Sequence, residues 1–313
     1  METIQENKKL KQELTGNLLK KERIWEIDFL RSIPIIIVVL YHACFDVYLL
    51  KTMMINLSDF AINHPNANSF FLFCENLFFN PLILSVFVPM FGGIFLFICG
   101  VSSSLSSNNL KRGLLLDLAA IVFSIATYVA SIILKSDDFI FFGILHQMGF
   151  SITIYALIEI FVRKVMKKKD VSFITPLIIG VILTTIGIMY TVGFKINNHL
   201  NKWPIEYIND SYKFNDVLKD DPYAYLKIIL GMKGSINDWW PILPYTGIIY
   251  IGIAIGKLLY AKNKKSLVPK LYFKGLKPLC FLGRHTIWVY LIHQPVIIIV
   301  LFIILSCMGG KFF

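Results

Sequence analysis

The stretch from Arg23 to Val47, RIWEIDFLRSIPIIIVVLYHACFDV, sets Asp28, Arg31, His42 and Asp46 along an otherwise apolar run. With Asp28 at zero on a helical wheel, Arg31 falls at roughly −60°, His42 at roughly −40° and Asp46 back at about 0°. One face of this segment is therefore polar at both ends. Asp46 follows His42 by one turn, a spacing at which a carboxylate can accept an imidazole N–H, fix the tautomer and raise the basicity of the far nitrogen. That arrangement prepares a general base. Arg31 precedes His42 by roughly 16 Å of helix, and a guanidinium suits a phosphate or a carboxylate.

Other segments carry similar groups. FIFFGILHQMGFSITIY contains His146 and Gln147, and LCFLGRHTIWVYLIHQPVIIIVLF contains Arg284, His285 and then His293-Gln294-Pro295. Pro295 frees a carbonyl one turn earlier and can kink the helix. Taken singly, His146 and His293 read equally well as satisfied interhelical hydrogen-bonders; three histidines on three helices at comparable depth point to a polar centre. The small residues of FGGIFLFICGVSSSLSS suit close packing first and anion binding, with Lys111 and Arg112 beside them, second. In NDWWPILPYTG, Trp239 and Trp240 read first as an interfacial aromatic belt and second as a platform for a sugar ring. The five cysteines show no metal-ligand or disulfide spacing and read as small core residues, so no metal is expected.

The elements that must hold these groups follow from composition. The chain has 313 residues, 56% hydrophobic and 16% charged, with a mean hydropathy of +0.65. A soluble domain of this size needs more charged surface. The apolar residues come in blocks long enough to cross ~30 Å of hydrocarbon. Spans are predicted over about 30–50, 81–104, 113–134, 139–162, 172–194, 238–260 and 280–306. FFLFCENLFF at 70–79 is too short to cross and reads as interfacial or re-entrant. The expectation is an all-α polytopic bundle of about seven transmembrane helices. It comprises a basic tail, 1–24, and one membrane domain, 25–308, with an outer loop at 195–237. The tail is polar, and the first span begins too late for a cleavable signal.

Basic residues alternate from side to side. The tail, Lys111 and Arg112, RKVMKKK, and the six lysines between 262 and 277 all fall on one side, which places the N-terminus in the cytoplasm. The net charge of +11 is then a topology signal with attraction to anionic lipid, and nucleic acid is not expected as a partner. A plasma-membrane, multi-pass location follows, and nothing in these residues excludes a homo-oligomer.

RIWEIDFLRSIPIIIVVLYHACFDV resembles the opening signature of bacterial membrane proteins related to the catalytic domain of heparan-α-glucosaminide N-acetyltransferase. GGIFLFICGVSSSLS with the following KRG, FGILHQMGFSI, DWWPILPYTGIIYIG and LGRHTIWVYLIHQPV are similar in order, across nearly the whole chain. The plan is also similar to that of wider membrane acyltransferases acting on bacterial surface sugars. The resemblance implies acyl transfer through the membrane, from acetyl-CoA or another acyl-CoA in the cytoplasm to an outer carbohydrate or glycoconjugate acceptor. It implies a CoA site at the cytoplasmic mouth built from Asp28, Arg31, Arg112 and Arg284, with the guanidinium groups paired to the phosphates. His42, oriented by Asp46, would deprotonate the acceptor amine or hydroxyl, or carry the acyl group. His146, Gln147, His293, Gln294, Trp239 and Trp240 would line the acceptor side. Two departures stand out: Ser32 replaces a family glycine, and the lysosomal enzymes have Asn at the His42 position and a lumenal-loop histidine. His64, the histidine of the corresponding loop here, is the second candidate, and by itself reads as a turn residue. A different class of function also suits a polar stripe in lipid, a transporter or flippase with a central His/Asp/Arg site.

Overall fold

The structure, a computed structural model, describes residues 24–134, 139–167, 170–197, 223–231, 238–260 and 264–312. The basic tail and most of the 195–237 loop lie outside the described residues. The helices are α1 (Trp25–Thr52), α2 (Leu57–Asn63), α3 (Pro65–Phe78), α4 (Ile83–Ser104, opening with a π turn), α5 (Asn109–Leu134) and α6 (Ile144–Lys164). They continue with α7 (Ile174–Asn197), α8 (Ala224–Leu230), α9 (Ile242–Tyr260), α10 (Lys277–Arg284) and α11 (Thr286–Cys307). Six of them, α1, α4, α5, α6, α9 and α11, are long and apolar enough to cross a membrane. α7 is also a long helix; its described apolar part, Ile174–Met189, is shorter. The chain is a multi-pass membrane protein.

α9 lies at the centre, packed against α7, α4 and α6, while α5 covers α6. α1 forms a second group with α10, α11 and α3 and closes against α4. Where α4 crosses α9, a Cβ on Gly100 would strike the Ile249 carbonyl, and one on Gly252 the Phe97 carbonyl. Without a hydrophobic drive between helices in lipid, backbone approach at small residues supplies the packing. Ser102 and Ser103 return their hydroxyls to the Ile98 and Cys99 carbonyls, so the small-residue end of α4 serves this packing. The apolar 70–79 stretch falls largely within α3, which covers the far half of α1 through Tyr41 stacked on Phe78 (4.8 Å) and the Lys51–Glu75 ion pair.

Two expected spans start several residues later than their hydropathy suggested, and a third is divided. α6 begins at Ile144 rather than 139, and α9 at Ile242 rather than 238, with Leu243 held extended (ψ 127) ahead of Pro244. The last span is divided by His285 into α10 and α11. The start of α6 is also sunk. His146 and the Ile140 carbonyl both meet Ser124, which leaves about 15 Å of α5 standing beyond that level.

Non-helical backbone at such a depth must find partners inside the protein. It does: Thr127 Oγ1 accepts from Ile140 N, Ser124 donates to the Ile140 carbonyl, and Trp240 N donates to the Phe142 carbonyl. His146 Nδ1 accepts from Gly143 N, and Asp238 accepts from Ile144 N.

Replacing Gly252 by leucine should force α4 and α9 apart, lowering stability by at least about 2 kcal/mol and the thermal midpoint in detergent with it. A Gly252→Leu midpoint equal to wild type would show that this crossing does not limit packing.

Candidate functional site

The polar face of α1 turns toward α10 and α11. At the end where α1 begins, Asp28 holds Arg284 of α10 at 3.2 Å and lies 3.9 Å from Arg31. A Cβ on Gly283 would strike the Asp28 carbonyl, so α10 reaches α1 only because that residue is glycine. Arg112 arrives from α5, donates to Cys99 Sγ at 3.7 Å, and lies close enough to Arg31 for their charges to repel. The four residues expected at the donor mouth thus gather from three elements at one end. Among the described residues here, like charges stand together with Asp28 as their carboxylate. Ser32, in place of the family glycine, is fully buried and donates to the Phe29 carbonyl at 2.7 Å, so its hydroxyl is absorbed inside the helix.

Deeper along α1, the expected pairing of His42 with Asp46 is replaced. His42 Nδ1 meets His293 Nε2 of α11 at 2.7 Å, and the rings lie nearly parallel. His293 Nδ1 lies 2.7 Å from the Tyr290 carbonyl and 3.2 Å from that of Val289. Carbonyls only accept, so His293 carries its proton on Nδ1 and, as a neutral ring, accepts at Nε2. His42 must then donate from Nδ1, which leaves its Nε2 with a lone pair. Asp46 is fully buried one turn on; Oδ1 accepts from Gln294 at 3.4 Å and Oδ2 has no hydrogen-bond partner among the described residues. Packing is the cause: α11 lies against the polar face of α1, so an interhelical partner reaches His42 in place of the intrahelical one.

The remaining expected residues separate from this pair. His146 caps its own helix and is held by Ser124 at 3.2 Å, which makes it a structural histidine. Gln147 is fully buried between α6 and α9, donating to Ser151 and Thr246. Trp240 is not an open platform, and Trp239 is half-buried against α8. Trp239 donates to the Ile228 carbonyl of α8, and Trp240 is 8% exposed, its ring seated over Gly92 where a Cβ would clash. His64 packs on Phe60 (4.5 Å) and bonds its carbonyl at the α2–α3 turn, as a turn residue would. His285 does likewise with Phe281 at the α10–α11 break.

Asp238 and Tyr290 are the residues that sequence reading passed over. Asp238 Oδ2 accepts from the Tyr290 hydroxyl (2.7 Å) and Ile144 N (3.2 Å), and Oδ1 accepts from the Trp240 indole (2.8 Å). The Tyr290 carbonyl lies closer to His293 Nδ1 than that of Val289, so this carboxylate ties the start of α6 to the helix that carries His293. The signal in the sequence was an acid next to a Trp-Trp-Pro segment, hidden because the span was taken to begin there.

The fold and this site define a polytopic helical membrane protein with a charged mouth at one end and an imidazole pair well inside. A family model described as heparan-alpha-glucosaminide N-acetyltransferase, catalytic, matches residues 23–79 and 68–295. The chain belongs to that family, and so to the membrane proteins of acetyltransferase type. No curated protein matches, and neither does any solved structure.

Removing the Asp238 carboxylate should strand a hydroxyl, an indole N–H and a backbone N–H in a low-dielectric setting. Asp238→Ala should cost on the order of 3 kcal/mol in unfolding free energy, and the isosteric Asp238→Asn, whose amide N–H must face one of those donors, should cost a comparable amount. A small loss for Asp238→Asn beside a large one for Asp238→Ala would place the effect in volume rather than hydrogen bonding.

Proposed function

We propose that the protein moves an acetyl group from acetyl-CoA, bound at the end where α1 begins, to an amine or hydroxyl of a carbohydrate acceptor reaching the membrane interior from the other side. The observation that carries this reading is the histidine pair. His42 Nε2 is a neutral imidazole nitrogen with its lone pair available, oriented by a partner from another helix. It takes the acceptor's proton as the acceptor attacks the thioester carbonyl, and the CoA sulfur leaves. His293 is the positioning residue that keeps His42 in this tautomer.

The donor site is supported by the crowding of Arg31, Arg112 and Arg284 around Asp28. Guanidinium groups held side by side repel one another unless an anion lies among them, and the CoA phosphates are such anions. From Arg31 to His42 is roughly 16 Å along α1, a distance an extended pantetheine arm covers. The Lys/Arg excess at this end makes it the cytoplasmic one, where acyl-CoA is found. Asp46, one turn beyond His42, and its hydrogen-bond partner Gln294, next to His293, face the acceptor side.

Purified protein given acetyl-CoA and a panel of amino sugars should release free CoA. His42→Ala should lose about 100-fold or more of that rate. His293→Ala should lower kcat with little change in KM, and Arg31→Ala should raise KM for acetyl-CoA about tenfold with kcat nearly kept. CoA binding with no release under any acceptor would overturn transfer in favour of transport, and equal release by His42→Ala would remove that histidine from the chemistry.

A further inference from the structure

We propose that the segment 264–284 is an interfacial belt that binds anionic phospholipid headgroups and thereby sets the first turn of α1. The segment, KKSLVPKLYFKGLKPLCFLGR, contains five lysines and an arginine and no acidic residue. Between the lysines stand apolar side chains that face outward: Leu267 is 51% exposed, Leu271 66% and Phe273 61%. Short 3-10 turns at Pro269–Leu271 and Lys274–Leu276 lead into α10, which buries Cys280 and Gly283 and leaves Phe281 outside.

The choice of partner rests on this interleaving. A soluble phosphate would neutralise lysines and leave the apolar side chains in water. An acidic protein surface would pair with the lysines and leave the interleaved apolar side chains uncovered in the same way. A leaflet containing anionic lipid takes both, headgroups at the ammonium groups and acyl chains at the apolar ones. The belt also lies at the level of the helix ends, because Ile24, Ile27, Ile98, Val101 and Tyr260 cluster there.

Its grip on α1 is specific. Leu267 N donates to Glu26 Oε1 at 2.7 Å, and Tyr272 lies 5.6 Å from the Trp25 ring. Cys280 Sγ donates to the Trp25 carbonyl at 3.7 Å, and Arg284 holds Asp28. Every tether falls on the turn just before Arg31. Whatever passes through the site, the bilayer's charge therefore reaches the charged mouth through this belt.

The full chain should be placed in nanodiscs of phosphatidylcholine alone or mixed with phosphatidylglycerol, and amide hydrogen exchange followed by mass spectrometry. Phosphatidylglycerol should slow exchange several-fold across 264–276 and the first turn of α1, leaving buried α9 unchanged. The triple variant Lys270→Gln, Lys274→Gln, Lys277→Gln should lose that slowing while keeping the phosphatidylcholine exchange pattern. In wild type, added salt should weaken the slowing, a readout that holds even if the variant misfolds. Equal exchange in the two bilayers would overturn the belt, as would equal slowing by soluble glycerol phosphate in phosphatidylcholine discs.

Discussion

In hydrocarbon, an unpaired amide or an isolated charge costs several kcal/mol, and no water is at hand to relieve it. Helices settle the account for their own backbone, so the architecture is governed by the places where helix is absent or a side chain is ionisable. The sunken start of α6 is the clearest instance. Its loop could sit at that depth only because Ser124, Thr127, His146 and Asp238 each take up a backbone group. The same Asp238 then holds Tyr290, so satisfying a loop also fixes where α11 stands.

That linkage explains the histidine pair. α11 is positioned from one side by Asp238 through Tyr290 and from the other by Gly283, whose missing side chain lets α10 meet the Asp28 carbonyl. Between these contacts His293 has little freedom, and its Nδ1 is already committed to backbone carbonyls. As a neutral ring it accepts at its remaining nitrogen, and His42 supplies the proton. The lone pair left on the far nitrogen of His42 is thus a consequence of hydrogen bonding on the neighbouring helix.

Charge is arranged on the same principle. The arginines stand at the end of the bundle, with the Arg31 and Arg284 side chains 20% and 38% exposed, where water moderates their mutual repulsion. Asp46 lies deeper and fully buried, with Gln294 as its neighbour. In the function proposed above, a charged carrier would remain at the mouth while a small neutral group travels inward.

Much of this was legible in the residues alone. Blocks of apolar residues dictate helices in lipid, and the period of 3.6 put Asp28, Arg31, His42 and Asp46 on one face, which the structure turns inward. Hydropathy, an average over a window, could not see that 139–143 and 238–241 enter the membrane as irregular chain. Nor could periodicity choose between Asp46 and His293 as the partner of His42. The first is local in sequence; the second lies on a helix more than two hundred residues away. Helix formation and burial depend on neighbours along the chain, so the sequence determined them. Tautomers, ion pairs and the role of Asp238 depend on which helices touch, and only tertiary packing decided that.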